Sequence, residues 1–177
     1  MRRKGFTLIE LLIVVAIIGV MASLVMFTIT GTTRRAKIAQ AKTQISHMEN
    51  ALELYNNDVG SYPPGDAAYD NGIINVVEAL SGKPRSEGGG GGPSTYWEFK
   101  EKELAKSKYD PSRNVLVDPW GNPWRYTRAT DDTGNVKPGI HRKASYDFYS
   151  CGPDGADQNG ENDKKAGKDD INNWTGE

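Results

Sequence analysis

Polarity along the chain changes its period several times, and each change predicts a different element. From Phe6 to Ile29 the only charged residue is Glu10, and none follows until Arg34. Read as a helix, that run exceeds the roughly 20 apolar residues that cross a bilayer. Beyond it Ile38, Ala41, Ile45, Met48, Leu52 and Tyr55 recur at alternating steps of three and four, the stripe of an amphipathic helix packed on its own domain. Gly60 and Pro63–Pro64 supply the stop. One helix from Phe6 to Asn57 would be on the order of 75–80 Å long at about 1.5 Å per residue.

The rest of the chain reads in shorter pieces. Ile74–Gly82 predicts a short helix ending at its glycine, and Tyr96–Asp110 another short amphipathic segment. Between them Ser86–Ser94, with five consecutive glycines at Gly88–Gly92, predicts a surface loop. No Gly-Lys-Ser/Thr follows those glycines, so they do not form a phosphate-binding loop. Asp118–Tyr126 reads as a turn feeding a strand, with Gly121 and two prolines setting the turn. Tyr146–Ser150 alternates aromatic and polar residues, as a half-buried strand does. A stretch dense in Asp, Asn and Gly then runs to Ile171 and Trp174.

Charge narrows the function. The formal net charge is −1, from 22 basic and 23 acidic residues. Arg2, Arg3 and Lys4 precede the apolar run, Arg34, Arg35 and Lys37 follow it, and the chain is acid-rich from Asp147 onward. No basic face with interleaved aromatics exists, which argues against a nucleic acid partner. Cys151 is the single cysteine, so no intrachain disulfide is available. His47 and His141 are too scattered, and nitrogen and sulfur ligands too few, for a zinc site. No nucleophile with a nearby base and no paired acids in a pocket-like context stand out, so an enzyme is not expected.

Glu10 is the oddity. An ionisable side chain in hydrocarbon is costly and implies a partner. Two ordinary readings of the run are a cleaved secretory signal, with a small-residue site at Val20–Ala22, and a plain anchor with an incidental acid. The basic clusters on the two flanks pull the topology in opposite directions.

The residues around Glu10 carry a third reading. The succession Arg2-Arg3-Lys4-Gly5, then Phe6, then Glu10 as the fifth residue after the glycine, resembles the prepilin leader of type IV pilins and type II secretion pseudopilins. The resemblance implies that a prepilin peptidase cuts after Gly5 and that the new amine on Phe6 is methylated. It further implies a cytoplasmic leader and an exported head. Glu10 would then neutralise the Phe6 amine of its own or a neighbouring subunit and act in assembly. Where many members carry a proline in this helix, the chain has Phe27.

A second resemblance lies at the other end. "DPWGNP" at Asp118–Pro123, an aromatic strand, "GPDG" at Gly152–Gly155 and "DDINNW" at Asp169–Trp174 closely resemble the major pseudopilin of type II secretion. The two resemblances cover residues 1–65 and 118–177. They imply one bound Ca²⁺, held by Asp154, Asp169, Asp170 and the backbone carbonyl of Cys151. Calcium takes 6–8 hard oxygen ligands in irregular cages, and Asp157, Asn159 and Asp163 are further donors in the same loop.

The fold expected is α+β: a long N-terminal helix, membrane-embedded in its first half, on a small antiparallel sheet with a C-terminal metal-binding loop. Residues 1–5 would be the cleaved leader, 6–33 the transmembrane and filament-core helix, 34–57 its amphipathic continuation and 58–177 a periplasmic head. The implied role is a structural subunit polymerising into a periplasmic pseudopilus that helps export folded proteins. Its partners would be copies of itself, minor pseudopilins, an inner-membrane assembly platform, the peptidase and membrane lipid. Two alternatives stay open: a type IV pilin for adhesion, motility or DNA uptake, and a calcium-binding module that never polymerises. Long surface fibres would mark the first, and an N-terminus needing neither Gly5 cleavage nor Glu10 the second.

Overall fold

The computed structural model describes residues 7–66, 70–82, 94–157 and 170–175, with residues 24–31 described by their backbone alone. Helix α1 spans Leu8–Val59, within two residues of the helix expected at each end. The chain divides into two compact units, Met1–Lys37 and Ile38–Glu177.

In the first unit every described large aliphatic side chain from Leu8 to Met21 is exposed. Among the described residues, no helix is long and apolar enough to cross a membrane. The segment expected to do so, residues 6–33, includes Phe6 and the side chains of 24–31, which lie outside the described residues.

The second unit holds the core. Ala41, Ile45, Met48, Leu52 and Tyr55 of α1 are all buried, with Ile38 partly buried at the edge. The three-and-four stripe therefore faces the head, as its spacing predicts. Helix α2, Asn71–Leu80, begins three residues before the predicted start and buries every position except Asn71, Asn75 and Glu78. The first two exceptions and Glu78 form its outer face, where Arg113 grips Glu78 with Nε and Nη2 at 2.8 and 2.9 Å. At its C-terminal end Gly82 turns the chain at a φ of 68°, and the amides of Tyr96 and Trp97 both donate to the Leu80 carbonyl. These bonds satisfy a helix-end acceptor that would otherwise lack a partner.

Strands β1 (Leu104–Lys106) and β2 (Asn114–Leu116) pair antiparallel. Strands β3 (Arg125–Arg128), β4 (Tyr146–Ser150) and β5 (Ile171–Asn172) form a three-stranded antiparallel sheet in that order. The amphipathic segment expected at Tyr96–Asp110 is instead irregular chain, a 3₁₀ turn at Glu101–Glu103 and then β1. Long-range pairing decides this: Val117 N–H donates to the Glu103 carbonyl, and Leu104 sits opposite Leu116. Strand β4 is fully buried rather than half-buried, because it is the central strand and its polar residues find internal partners. Asp147 accepts the backbone N–H of His141 and of Arg142 at 2.8 and 2.9 Å, and the Ser150 hydroxyl donates to Asp118 Oδ2 at 2.6 Å.

Helix α2 meets β3 at Gly72, where an added Cβ would collide with the backbone carbonyls of Tyr126 and Asp66. Neither obstacle is a flexible side-chain tip. Gly72→Ala is expected to cost about 1–3 kcal/mol or more from overpacking, read as a lower urea midpoint. A midpoint equal to wild type would mean that α2 is not seated this closely.

Candidate functional site

Two places collect the residues singled out above. The first is the start of α1. Thr7 Oγ1 accepts the Glu10 amide at 3.3 Å, while Glu10 Oε2 accepts the Thr7 amide at 2.9 Å and the Thr7 hydroxyl at 2.7 Å. That reciprocal pair is a capping box, satisfying amides that the first helical turn leaves open. The Thr-x-x-Glu spacing is itself a capping-box signal in the sequence. Gly5 and Phe6 lie outside the described residues. Beyond the cap runs the exposed aliphatic surface from Leu8 to Met21. Contiguous apolar surface of this kind marks a membrane or protein contact.

The second place is the loop after β4. Cys151 is buried as a free thiol. The register pairs Ser150 with Ile171, so one step further sets Cys151 opposite Asp170. Asp170 is buried, 8% exposed. Burial above all, then the negative charge of Asp157 with a smaller part from Asp170, pushes the Cys151 thiol up to about 12, against the opposing pull of Arg125. The thiol therefore stays protonated at neutral pH and offers no soft thiolate ligand.

Residues 152–155 form a turn, with Gly152 and Gly155 both at positive φ. Asp154 is exposed on it, and its Oδ1 accepts the Ala156 amide at 2.9 Å. The turn is pinned from below by the Asp118–Pro123 segment. Asp118 Oδ1 accepts the amides of Trp120 and Asn122, and the Asn122 side-chain amide donates to the Gly152 carbonyl at 2.8 Å. Asp118 and Asn122 thus position the loop, a role that reading the segment as a turn did not anticipate. Nothing local signals it, since Asn122 and Gly152 are distant in sequence.

The chain's end docks onto the same sheet. Asn173 exchanges bonds with Phe148, its side-chain oxygen accepting the Phe148 amide at 3.0 Å and its own amide donating to the Phe148 carbonyl at 3.1 Å. Trp174 stacks on His141 at 4.2 Å between ring centroids and meets Tyr149 edge-on. Ile171 joins the core, so Ile171 and Trp174 tuck the terminus against the sheet.

Of the four residues implied for calcium, the structure brings Cys151 and Asp170 together and puts Asp154 on the adjoining turn. Asp169 lies outside the described residues, as do Asn159 and Asp163. Among the described residues, no three His, Cys, Asp or Glu side chains cluster as a metal group. Beside a turn flanked by Gly152 and Gly155, the donors that the resemblance implies are carboxylate and carbonyl oxygens. Their chemistry suits a hard cation such as calcium rather than a thiolate-seeking one.

Residues 28–174 match the family described as type II secretion system (T2SS), protein G, and residues 1–26 match the prokaryotic N-terminal methylation motif. The type II secretion system core protein G of Pseudomonas aeruginosa is 32% identical, over 98% of this chain and 96% of that protein. The core protein G of Escherichia coli K12 is also 32% identical, over 98% and 92%. The crystal structure of the major pseudopilin from the type 2 secretion system of enterohaemorrhagic Escherichia coli aligns over 82% of this chain and 93% of that one, at 20% identity and a TM-score of 0.43. With most of its length matched by the family and its first residues by the methylation motif, this chain belongs to the type II secretion system protein G family.

Proposed function

We propose that the chain is a structural subunit of a type II secretion pseudopilus, polymerising through the first half of α1 to help export folded proteins. The observation that carries this is the aliphatic surface from Leu8 to Met21, exposed without interruption except at the capped acid Glu10. Such a surface is stable only against lipid or other copies of itself, because leaving it in water forfeits roughly 25 cal/mol per Å². Before assembly the bilayer covers it, and in the filament its neighbours do. Prepilin peptidase cuts after Gly5 and the Phe6 amine is methylated, and that amine pairs with Glu10 across or within subunits. In low dielectric the pair favours docking and disfavours unmatched stacking. Minor pseudopilins and an inner-membrane platform would start and guide the polymer, with the heads in the periplasm. Intact mass spectrometry of the protein from its host's membranes tests the first step. Phe6–Glu177 plus one methyl group is expected, whereas a product starting at Ser23 would make the run an ordinary secretory signal and refute the reading.

The C-terminal loop holds Ca²⁺ in this proposal, through Asp154, Asp169, Asp170 and the Cys151 carbonyl. Calcium held by these residues would supply positive charge to offset their carboxylates and a cross-link among the segments that carry them. It takes the place of the disulfide that a lone buried Cys151 cannot form. At a hundredfold excess over Kd, binding adds about 2.7 kcal/mol, a rise in Tm of roughly 5–10 °C for a domain of this size. Thermal melts of the full chain in detergent, in calcium and in chelator, measure this. Identical midpoints at millimolar calcium would exclude the metal clamp.

A further inference from the structure

Arg125 joins three stretches that lie far apart in the chain. From β3 its Nη1 donates to Asp70 Oδ1 at 2.9 Å. Its Nε lies 2.9 Å from Asp157 Oδ2, an ion-pair contact lying off the hydrogen-bond line, since that N–H has no hydrogen-bonded acceptor. A planar fork can grip two carboxylates at once, which an ammonium at the same place does less well.

Both carboxylates are built into their surroundings. Asp70 is 3% exposed and stands at the start of α2 with a left-handed φ of 62°, a conformation uncommon outside glycine that Asp adopts more readily than most residues. Its second oxygen accepts the Ser107 hydroxyl at 3.1 Å. Asp157 ends the described part of the Gly152 turn, and its Oδ1 accepts the Tyr149 hydroxyl at 2.9 Å. With one oxygen on Tyr149 and the other on Arg125, Asp157 acts as an anchor of the loop.

We propose that Arg125 is a metal-independent staple for the C-terminal loop, tying Asp157 to Asp70 so that the base of the loop is already in place before calcium binds. The staple itself rests on geometry alone, and only its order relative to calcium rests on the metal reading above. Arg125 is thus a positioning residue. It replaces neither Asp154 nor Asp170, but holds the loop whose turn carries Asp154.

Hydrogen-exchange mass spectrometry on the full chain in detergent tests this, with wild type, Arg125→Gln and Asp157→Asn compared in chelator and in millimolar CaCl₂. Arg125→Gln strips the buried Asp70 of its cation, so it threatens folding. Asp157→Asn keeps the Arg125–Asp70 pair, and an amide oxygen can still accept from Tyr149, so it removes only the second arm. In chelator, peptides covering residues 150–157 are expected to exchange about fivefold faster in Asp157→Asn than in wild type, the change that a loss near one ion pair produces. Helix α2 should exchange as in wild type in that variant and faster in Arg125→Gln. Calcium should slow exchange of residues 150–157 and narrow the gap between variant and wild type, a rescue that a general loss of stability would not give. Loop exchange in Asp157→Asn equal to wild type in chelator would overturn the staple. If the variant is faster but calcium changes nothing in any protein, the staple stands and the calcium reading falls.

Discussion

Glu10→Gln is expected to leave α1 capped, processed and inserted, yet to yield no pseudopili. To the helix cap seen at Glu10 the proposed function adds an assembly role, and one substitution separates the two. As the acceptor in the capping box it takes two hydrogen bonds from Thr7, and a glutamine oxygen can accept both. As an assembly residue it needs its negative charge, which glutamine lacks, to meet an amine at Phe6 in a dry helical stack. There an unmatched ammonium is far more costly than in water. Glu10→Ala removes cap and charge together and should fail at least as completely. Sheared filaments and cross-linked ladders, scored beside the intact mass, are the readouts. Wild-type filament from Glu10→Gln, with none from Glu10→Ala, would assign the residue to the helix cap and remove the charge-pair account of assembly.

Trp124→Ala is expected to have the largest effect on the head, about 3–5 kcal/mol for a fully buried aromatic. Whole domains typically hold only about 5–15 kcal/mol, so the variant would sit near the edge of folding. Trp124 lies at the end of the turn that positions the C-terminal loop, is wholly buried, and stacks on Phe148 of β4 at 4.7 Å with the rings 8° from parallel. Losing it opens a cavity between the turn and the central strand. Its Nε1–H is buried without an acceptor, so Trp124→Phe removes an unsatisfied donor while keeping a stacking ring, which offsets part of the lost volume. The phenylalanine variant should therefore lose clearly less than the alanine one. Urea titrations followed by circular dichroism decide this. Equal losses for the two variants would mean that a stacking ring at this position contributes nothing to the head.

Both residues also show where sequence and structure divide. Helix α1 was legible because helix geometry is local: the three-and-four spacing from Ile38 to Tyr55 needs no knowledge of the rest of the chain to predict one buried face. The turn at Asp118 and the strands β3 and β4 were legible for the same reason, through Gly, Pro and aromatic alternation over a few residues. Strand β1 was not, because Leu104–Lys106 is only three residues long and carries no alternation. It is a strand through its pairing with β2. The full burial of β4 was likewise invisible, because whether a polar residue such as Asp147 faces water depends on which strands flank it.

The candidate sites divide along the same line. Gly5, Phe6, Glu10, Asp154, Asp169 and Asp170 stand in short motifs, so the amino-acid order alone pointed to the family of this chain and supplied the candidate residues proposed for processing, assembly and metal binding. The long-range contacts that support the C-terminal loop did not stand there. That Asn122 holds Gly152, that Asp118 holds Ser150, and that Arg125 reaches back to Asp70 and forward to Asp157 became visible only once the sheet had closed. Spacing along the chain constrains a side chain's direction over a turn or two of helix or a few residues of strand. Across 30 to 55 residues, as between Asn122 and Gly152 or Asp70 and Arg125, only the path of the folded backbone determines which charges and hydrogen-bonding groups meet.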